Sequence, residues 1–263
     1  MIKHLKSGKG IKHFYRTGVW FAILFLFSAF PVVAQERGEA ELHKVIVKEW
    51  NISLFLNTSG GGIGFQHGRT PTYYDKHFWE IDFLYNAHEK SVRAKNPYYS
   101  GATSYCYGKL YDLFFLRGGY GYQRTIHQKP YWGGVRIRYT LSGGFSLGMG
   151  LPVYLYIYKV TEGGFIQVAE RYDPEKHNLD NIIGRGPLLR GFLETAFRPG
   201  FYFKTGLNFD FSKNEETMHI LEIGATIDML FPPLQQMAYN KAKPFYLCGY
   251  IAYNFGKRKG NYE

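Results

Sequence analysis

The chain has 263 residues and a formal net charge of +11, and hydrophobic residues make up 45% of it. This is too apolar for a disordered protein, and 31 glycines without a triplet repeat exclude a collagen. With two cysteines and 19% aromatic residues, the chain is neither a disulfide-stabilised miniprotein nor a helical coiled coil, which leaves an aromatic, glycine-rich, all-β protein.

The first residues have the composition of a signal peptide. Basic residues between Lys3 and Arg16 precede the apolar run 19–30, which is shorter than the ~20 residues of a transmembrane helix. We therefore assign 1–34 to a signal peptide cleaved near Ala34, with an uncleaved anchor helix as the alternative. Removal of five basic residues leaves the mature chain at +6 with well-mixed charges, which argues against a nucleic-acid partner.

Alternation of apolar and polar residues predicts strands throughout the mature chain. From Phe201 onward, for example, odd positions are mostly apolar, whereas even positions such as Lys204 and Asp210 are polar or small, as in a strand with two unlike faces. The predicted strands are 49–57, 61–68, 77–88, 105–124, 133–158, 200–212, 218–231 and 245–256.

Two of these predicted strands are irregular. The alternation in 133–158 keeps its phase through Gly143 and Gly144, which predicts one long strand with a glycine kink instead of two strands joined by a hairpin. In 105–124, Asp112 and Arg117 do not fit on one polar face, which predicts a β-bulge.

The polar faces of these strands carry too many charges for a dry protein core. A soluble β-sandwich or lipocalin-like barrel also alternates, but it would turn its apolar face inward. We therefore predict an eight-stranded antiparallel transmembrane β-barrel over 49–256, with one long external loop, a periplasmic segment 35–48 and a periplasmic tail 257–263. The predicted charge network of the lumen consists of Glu80, Asp82, Arg136, Arg138, Lys204, Asp210, Glu222 and Asp228.

This network is expected to fill the lumen. Eight strands enclose only enough space for side chains, so an aqueous pore is disfavoured, and Arg136 and Arg138 are expected to neutralise acids on neighbouring strands. A proton or ion path through the same charges is the alternative.

The long connection 159–199 is the main feature outside the predicted barrel. It exceeds the usual length of unstructured loops, so it is expected to be functional or partly folded. Pro187 can begin a short helix that packs on the barrel rim or docks a partner. The apolar residues of this candidate docking surface are Leu188, Leu189, Phe192 and Leu193.

The sequence contains no recognisable catalytic, metal or cofactor site. No histidine precedes a serine at the spacing used by small barrel lipid deacylases. Cys106 and Cys248 have no nearby ligands at zinc-like spacing, and they are expected on opposite sides of the barrel as two free thiols. The prediction is a non-enzymatic protein without a cofactor.

Four segments have distinctive strand-and-turn patterns: LHKVIVKEW at 42–50, GGIGFQHGR at 61–69, YGKLYDLFFLRGGYG at 107–121 and the predicted strand 133–158. These segments resemble small outer-membrane β-barrel proteins of Bacteroidota. Related barrels serve as accessory subunits of the barrel-insertion (BAM) machinery or of type IX secretion. The resemblance implies a subunit role in the outer membrane of a Gram-negative bacterium, with outer-membrane lipid and other envelope proteins as partners. A small transport or ligand-binding barrel is the alternative.

Overall fold

The structure, a computed structural model, describes residues 46–72, 74–99, 101–128, 134–161, 164–213 and 216–261. The predicted signal peptide 1–34 lies outside the described residues, as does the predicted periplasmic segment up to residue 45. In the described part of the chain, no helix is both long and apolar enough to cross a membrane.

The described residues form thirteen strands and one 3-10 helix, joined by turns and loops. The strands are β1 (Ile46–Asn57), β2 (Gly60–Thr70), β3 (Asp75–Asn86), β4 (Arg93–Ala94), β5 (Tyr105–Cys106), β6 (Tyr111–His127), β7 (Arg136–Pro152), β8 (Tyr154–Thr161), β9 (Gly164–Arg171), β10 (Ile182–Arg185), β11 (Ala196–Asp210), β12 (Thr217–Leu234) and β13 (Lys243–Asn261). The 3-10 helix spans Leu188–Glu194.

Eight of these strands close into an antiparallel barrel, in the order β1-β13-β12-β11-β7-β6-β3-β2. The first and last strands pair with each other from Ile46↔Asn261 to Asn57↔Tyr250, which completes the ring. Closure gives each of the eight barrel strands a partner on both sides, so the barrel has no edge strand with unpaired backbone groups. The predicted fold class is confirmed.

The two faces of the barrel wall differ as a membrane requires. Along β11, Phe201 and Phe203 point outward and are about half exposed, while Tyr202 and Lys204 between them are buried inside. Apolar side chains on the outer face and charged ones inside are the arrangement of a transmembrane barrel, and a soluble barrel would have the reverse. The outward apolar residues include Leu54, Ile63, Phe65, Trp79, Ile81, Phe145, Ile223, Ile227, Leu247 and Ile251.

Connections at the two ends of the barrel differ in length. The β2–β3, β6–β7 and β11–β12 connections are short and lie at the end where β1 begins and β13 ends. The other end carries 87–110, 153–195 and 235–242, together with the tight β1–β2 turn. Outer-membrane barrels have short periplasmic turns and long external loops, so we call these the periplasmic and external ends.

The predicted strand 133–158 is wrong as a single element. β7 passes through Gly143 and Gly144 in continuous register with β11, as predicted, but it leaves the barrel at Pro152. β8 then pairs with β9 and β10 in a separate three-stranded sheet. The alternation continued across this break because Leu155 and Ile157 of β8 fill a second core outside the barrel.

The predicted strand 105–124 also needs correction. β6 begins at Tyr111, and its register with β7 is uninterrupted as far as Thr125, so the bulge predicted within 105–124 is wrong; the register shift lies between Thr125 and His127. Leu113 and Phe115 point inward together with Arg117. Asp112 belongs to the outward face and is nevertheless buried, because basic residues at the external end cover it.

The predicted periplasmic tail 257–263 is part of the barrel as far as residue 261. β13 continues to Asn261 and pairs with β1 over this stretch. The physical reason is Arg258, whose side chain turns into the lumen and forms ion pairs with Glu49 and Asp210.

The external end carries a small folded layer. It contains the three-stranded sheet β10-β8-β9, the two-stranded sheet β4-β5 and the 3-10 helix. Its core consists of Tyr105, Val153, Leu155, Ile157, Tyr172 and Ile182. The long connection predicted from the sequence is therefore partly folded.

Candidate functional site

The periplasmic part of the lumen holds a network of charged side chains centred on Glu49. Its carboxylate is 2.8 Å from Lys76 Nζ, 2.9 Å from Arg258 Nε and 3.6 Å from Arg138 Nη1. Arg138 and Arg258 also contact Asp210, so two carboxylates share three cations. Arg258 is partly buried and the other four side chains are buried, and each one compensates the charge of another.

The middle of the lumen is organised around Lys204. Its Nζ lies 2.5 Å from Glu80 Oε2 and 3.3 Å from Asp82 Oδ2. The Tyr202 hydroxyl donates a hydrogen bond of 2.7 Å to Glu80 Oε1. The Tyr202 ring needs a glycine on β6, because a Cβ on Gly119 would lie 2.2 Å from the Tyr202 hydroxyl. Lys204 has 0% exposure, so this cluster has no contact with solvent.

Two further acids complete the lumen. Asp228 forms a bidentate pair with Arg117, with distances of 2.8 Å to Nε and 2.5 Å to Nη2, and it also accepts from Ser146. Glu222 accepts hydrogen bonds from the Tyr250 hydroxyl and the Asn254 amide. Both arrangements satisfy carboxylates that would otherwise be costly to bury.

Toward the external end the interior becomes apolar. The cluster that closes it consists of Phe55, Leu84, Leu113, Phe115, Leu230, Leu234, Tyr250 and Ala252. This plug lies between the charged layers and the external sheets. Packed apolar side chains are expected to impede a hydrated ion, so this part of the lumen has the character of a packed core.

The structure brings six of the eight predicted lumen charges into direct ion pairs with other lumen residues. Glu80 and Asp82 contact Lys204, and Arg138 contacts Asp210. Asp228 pairs with Arg117 and not with the predicted arginines. Glu222 has only neutral hydrogen-bond donors, and Arg136, half buried at the periplasmic mouth, forms no ion pair within the described residues.

Four charged residues that form ion pairs in the lumen are absent from the predicted network: Glu49, Lys76, Arg117 and Arg258. Their strand phase could have identified them. Lys76 lies four residues before Glu80, on the same face of β3, but the predicted strand began at residue 77. Arg117 shares its face with Leu113 and Phe115, which made the polar side of β6 hard to recognise.

The candidate docking surface on the 3-10 helix is strongly exposed. Leu193 is 97% exposed, and Leu188 and Phe192 are more than half exposed. The side chain of Leu189 lies outside the described residues. Gly191 brings the helix close to Pro152 and Tyr154, so the helix sits against the point where β7 leaves the barrel.

Two depressions open on the external layer. The larger is an open cleft of about 660 Å³ between β9 and the 3-10 helix, whose lining includes Arg171, Lys176, His177 and Arg190. The backbone N–H of Asp173 donates a hydrogen bond of 3.0 Å to His177 Nδ1, and His177 Nε2 lies 3.6 Å from the Glu170 carboxylate. Both ring nitrogens therefore face a partner within the protein. The hydrogen bond from Lys159 holds the pKa of Glu170 below its ordinary value.

The smaller depression has a volume of about 170 Å³ and lies between β4-β5 and β8-β10. Its charged lining residues are Arg93, Lys109 and Arg185. Burial acts to lower the pKa of Lys109, but the neighbouring charge of Asp112 and hydrogen bonds to Asp112 and Tyr85 outweigh it and hold that pKa above its ordinary value.

Cys106 and Cys248 are both free thiols, as expected. Cys106 lies in β5, in the external layer, and not in a barrel strand as predicted. Among the described residues, no group of three or more histidine, cysteine, aspartate or glutamate side chains could hold a metal ion.

Comparison with known proteins gives only distant likenesses. No protein-family model matches the chain, and no curated protein matches it significantly. Among solved structures, Ail, the attachment invasion locus protein of Yersinia pestis, is 11% identical with a TM-score of 0.32, and the match covers 82% of this chain and 97% of Ail.

A second crystal structure of Ail, in complex with the heparin analogue sucrose octasulfate, gives 10% identity and a TM-score of 0.32, covering 82% of this chain and 97% of Ail. Neisserial surface protein A gives 10% identity and a TM-score of 0.33, covering 81% of this chain and 95% of that protein. The fold assignment therefore rests on the strand pairing and on the side-chain pattern of the barrel itself.

Proposed function

We propose that this chain is a non-enzymatic integral outer-membrane protein of a Gram-negative bacterium, and that it acts as an accessory or structural subunit of an outer-membrane protein biogenesis or secretion complex. The observation that carries this proposal is the packed lumen, in which charges such as Lys204 and Asp82 are paired and fully buried. Because the interior offers no pore, the surfaces available for function are those outside the barrel wall.

The 3-10 helix is the surface that we assign to partner binding. Its exposed residues Leu188, Phe192 and Leu193 lie just before the external end of β11, whose Phe197 is also exposed and points outward. An apolar surface continuous with the membrane-facing wall suits a partner that is itself embedded in the outer membrane. The proposed partner is therefore another integral envelope protein alongside β7 and β11.

The source and the export route belong to the same proposal. The resemblance of the strand segments to small Bacteroidota barrels supports a subunit of the BAM machinery or of type IX secretion. A signal peptide cleaved near Ala34 would deliver the chain to the periplasm, and outer-membrane lipid would surround the barrel. No nucleic acid is expected to meet a protein in this location.

The test is site-specific photo-crosslinking in native membranes combined with gentle purification. A photoreactive residue at Phe192 is expected to crosslink one co-purifying outer-membrane protein. The matched control is Ile63 on β2, which is similarly exposed and lies on the opposite side of the barrel in strand order. Equal crosslinking at both positions, or recovery of the barrel alone, would contradict the proposal.

A variant tests the same surface. Leu193→Asp is expected to reduce recovery of the partner about tenfold or more, because a buried apolar contact at an interface is replaced by a charge. Leu193 is almost fully exposed, so the barrel of the Leu193→Asp variant should fold normally. The difference in gel migration between unheated and heated samples can verify this.

A small transport or ligand-binding barrel is the second candidate. The apolar plug over the charged lumen counts against transport. Ligand binding is compatible with the depressions on the external layer.

A further inference from the structure

The smaller depression on the external layer is a pocket lined by cations. Lys109 lies at its floor with 4% exposure, Arg185 forms one wall and Arg93 lies at the exposed rim. The remaining lining residues are neutral: Ser104, Tyr105, Cys106, Val153 and Leu155. No acidic side chain lines this pocket within the described residues.

The charges around the pocket do not balance. Lys109 and Arg185 share a single carboxylate, that of Asp112, at 2.7 Å and 2.5 Å. Arg93 has no ion pair or side-chain hydrogen bond within the described residues. Three positive charges and one negative charge therefore leave a net charge of +2 around the pocket, whose floor at Lys109 is buried, so that charge interactions are stronger there than in open water.

Asp112 does more than neutralise one cation. Its carboxylate and the Tyr85 hydroxyl hold Lys109 Nζ at 2.7 Å and 3.0 Å, which fixes the ammonium group at the pocket floor. The carboxylate likewise orients the Arg185 guanidinium. Both cations are thus held in place before any ligand arrives, which lowers the entropic cost of binding.

The size of the pocket limits the ligand. A volume of about 170 Å³ corresponds to roughly five or six water molecules at the ~30 Å³ that each occupies in the liquid. A tetrahedral oxyanion fits this space. Guanidinium groups are well suited to phosphate because they can donate two parallel hydrogen bonds.

We propose that this pocket binds a phosphate group, with Lys109 at the floor and Arg93 and Arg185 at the sides. The group can be free phosphate or the phosphomonoester of a larger molecule whose remainder projects past Arg93 into the medium. The site is separate from the 3-10 helix, and the inference goes beyond the proposed partner binding.

The test is calorimetric titration of the purified full chain in a phosphate-free detergent with three probes. Inorganic phosphate reports the free ion, glycerol phosphate reports a soluble monoester, and vesicles of neutral lipid with or without phosphatidic acid report a lipid headgroup. We expect at least one phosphate probe to bind. The probe that binds most tightly identifies the source, and failure of all of them would overturn the proposal.

Variants locate the site. Arg93→Gln is expected to weaken binding of the best probe about tenfold or more, because one charged donor is lost. Arg93 lies at the rim, so this change should leave the fold intact. A second variant, Lys109→Met, tests the residue at the pocket floor, provided that the variant folds. The matched control is Lys176→Gln, which removes an exposed cation from the other cleft of the same layer and should change affinity less than twofold.

Equal binding by the wild type and Arg93→Gln would overturn the assignment to this pocket. Leu193→Asp, the variant that tests partner binding, should bind phosphate like the wild type. Failure of the partner proposal and failure of the phosphate proposal are therefore separately visible.

Discussion

Lys204 is the residue on which the middle of the lumen most depends. It is the only cation in direct contact with both Glu80 and Asp82 in the described structure. We predict that Lys204→Met lowers the free energy of unfolding by about 3–5 kcal/mol, because it leaves two buried carboxylates without their cation. Urea unfolding in detergent micelles, followed by tryptophan fluorescence, measures this loss.

A compensating variant separates charge from packing. In the triple variant Lys204→Met, Glu80→Gln, Asp82→Asn, the shapes are nearly kept and the charges are gone, so most of the lost stability should return. Lys241→Met, at an exposed external position, is the control and should have little effect. A triple variant as unstable as Lys204→Met alone would show that packing around the lysine stem, and not its charge, stabilises this layer.

Individual partners in the lumen could not be predicted from the sequence. Alternation identified Lys204, Glu80, Asp82 and Asp228 as inward residues, since period-2 spacing depends only on the local backbone. Arg117 and Asp228, however, are on β6 and β12 and meet across the interior. Such a pair depends on barrel closure and on the shear between strands, which no local pattern encodes.

Among the elements, β13 extends five residues beyond its predicted end at residue 256. We predict that Arg258→Ala destabilises the barrel by about 2 kcal/mol, less than a fully buried partner would cost, because Glu49 keeps Lys76 and Arg138. The neighbouring Lys257 is exposed, so Lys257→Ala should be neutral. Equal unfolding midpoints for the two variants would contradict this prediction and show that the Arg258 ion pairs do not stabilise the barrel.

The external layer should respond to mutation separately from the barrel. Leu155 is fully buried in the second core, and Leu155→Ala is expected to cost that core about 2–5 kcal/mol. Because the barrel strands close without this sheet, limited proteolysis should cut between residues 153 and 195 in the variant and leave the barrel resistant. Simultaneous loss of barrel resistance would mean that the two parts unfold as one unit.

The existence of each barrel strand was predictable because one face was apolar and the other was polar. The element boundary was not predictable at Pro152, where β7 ends and β8 begins with Tyr154. Val153, Leu155 and Ile157 alternate in the same way as a barrel strand, although they pack into the external core. Periodicity reports that a strand has two unlike faces, and it does not report which layer buries the apolar one.

For the whole molecule, the layered interior predicts that the barrel does not conduct ions. Toward the periplasm the interior holds paired charges, and toward the outside it holds the apolar plug, which is expected to impede ions. Planar-bilayer recordings of the pure protein should therefore show no stable conductance steps. Reproducible single-channel conductance steps that persist after repurification would contradict the closed-lumen interpretation and favour the transport alternative.

The pairing of β1 with β13 has a consequence for biogenesis. These strands form a ladder from Ile46↔Asn261 to Asn57↔Tyr250, so the ring joins the two ends of the described chain. Contacts between residues so far apart in sequence carry a large loop-closure entropy and form late. Until the last strand has emerged and found the first, the sheet is an open ribbon with two unsatisfied edges, and this is the stage at which the chain most needs protection from aggregation.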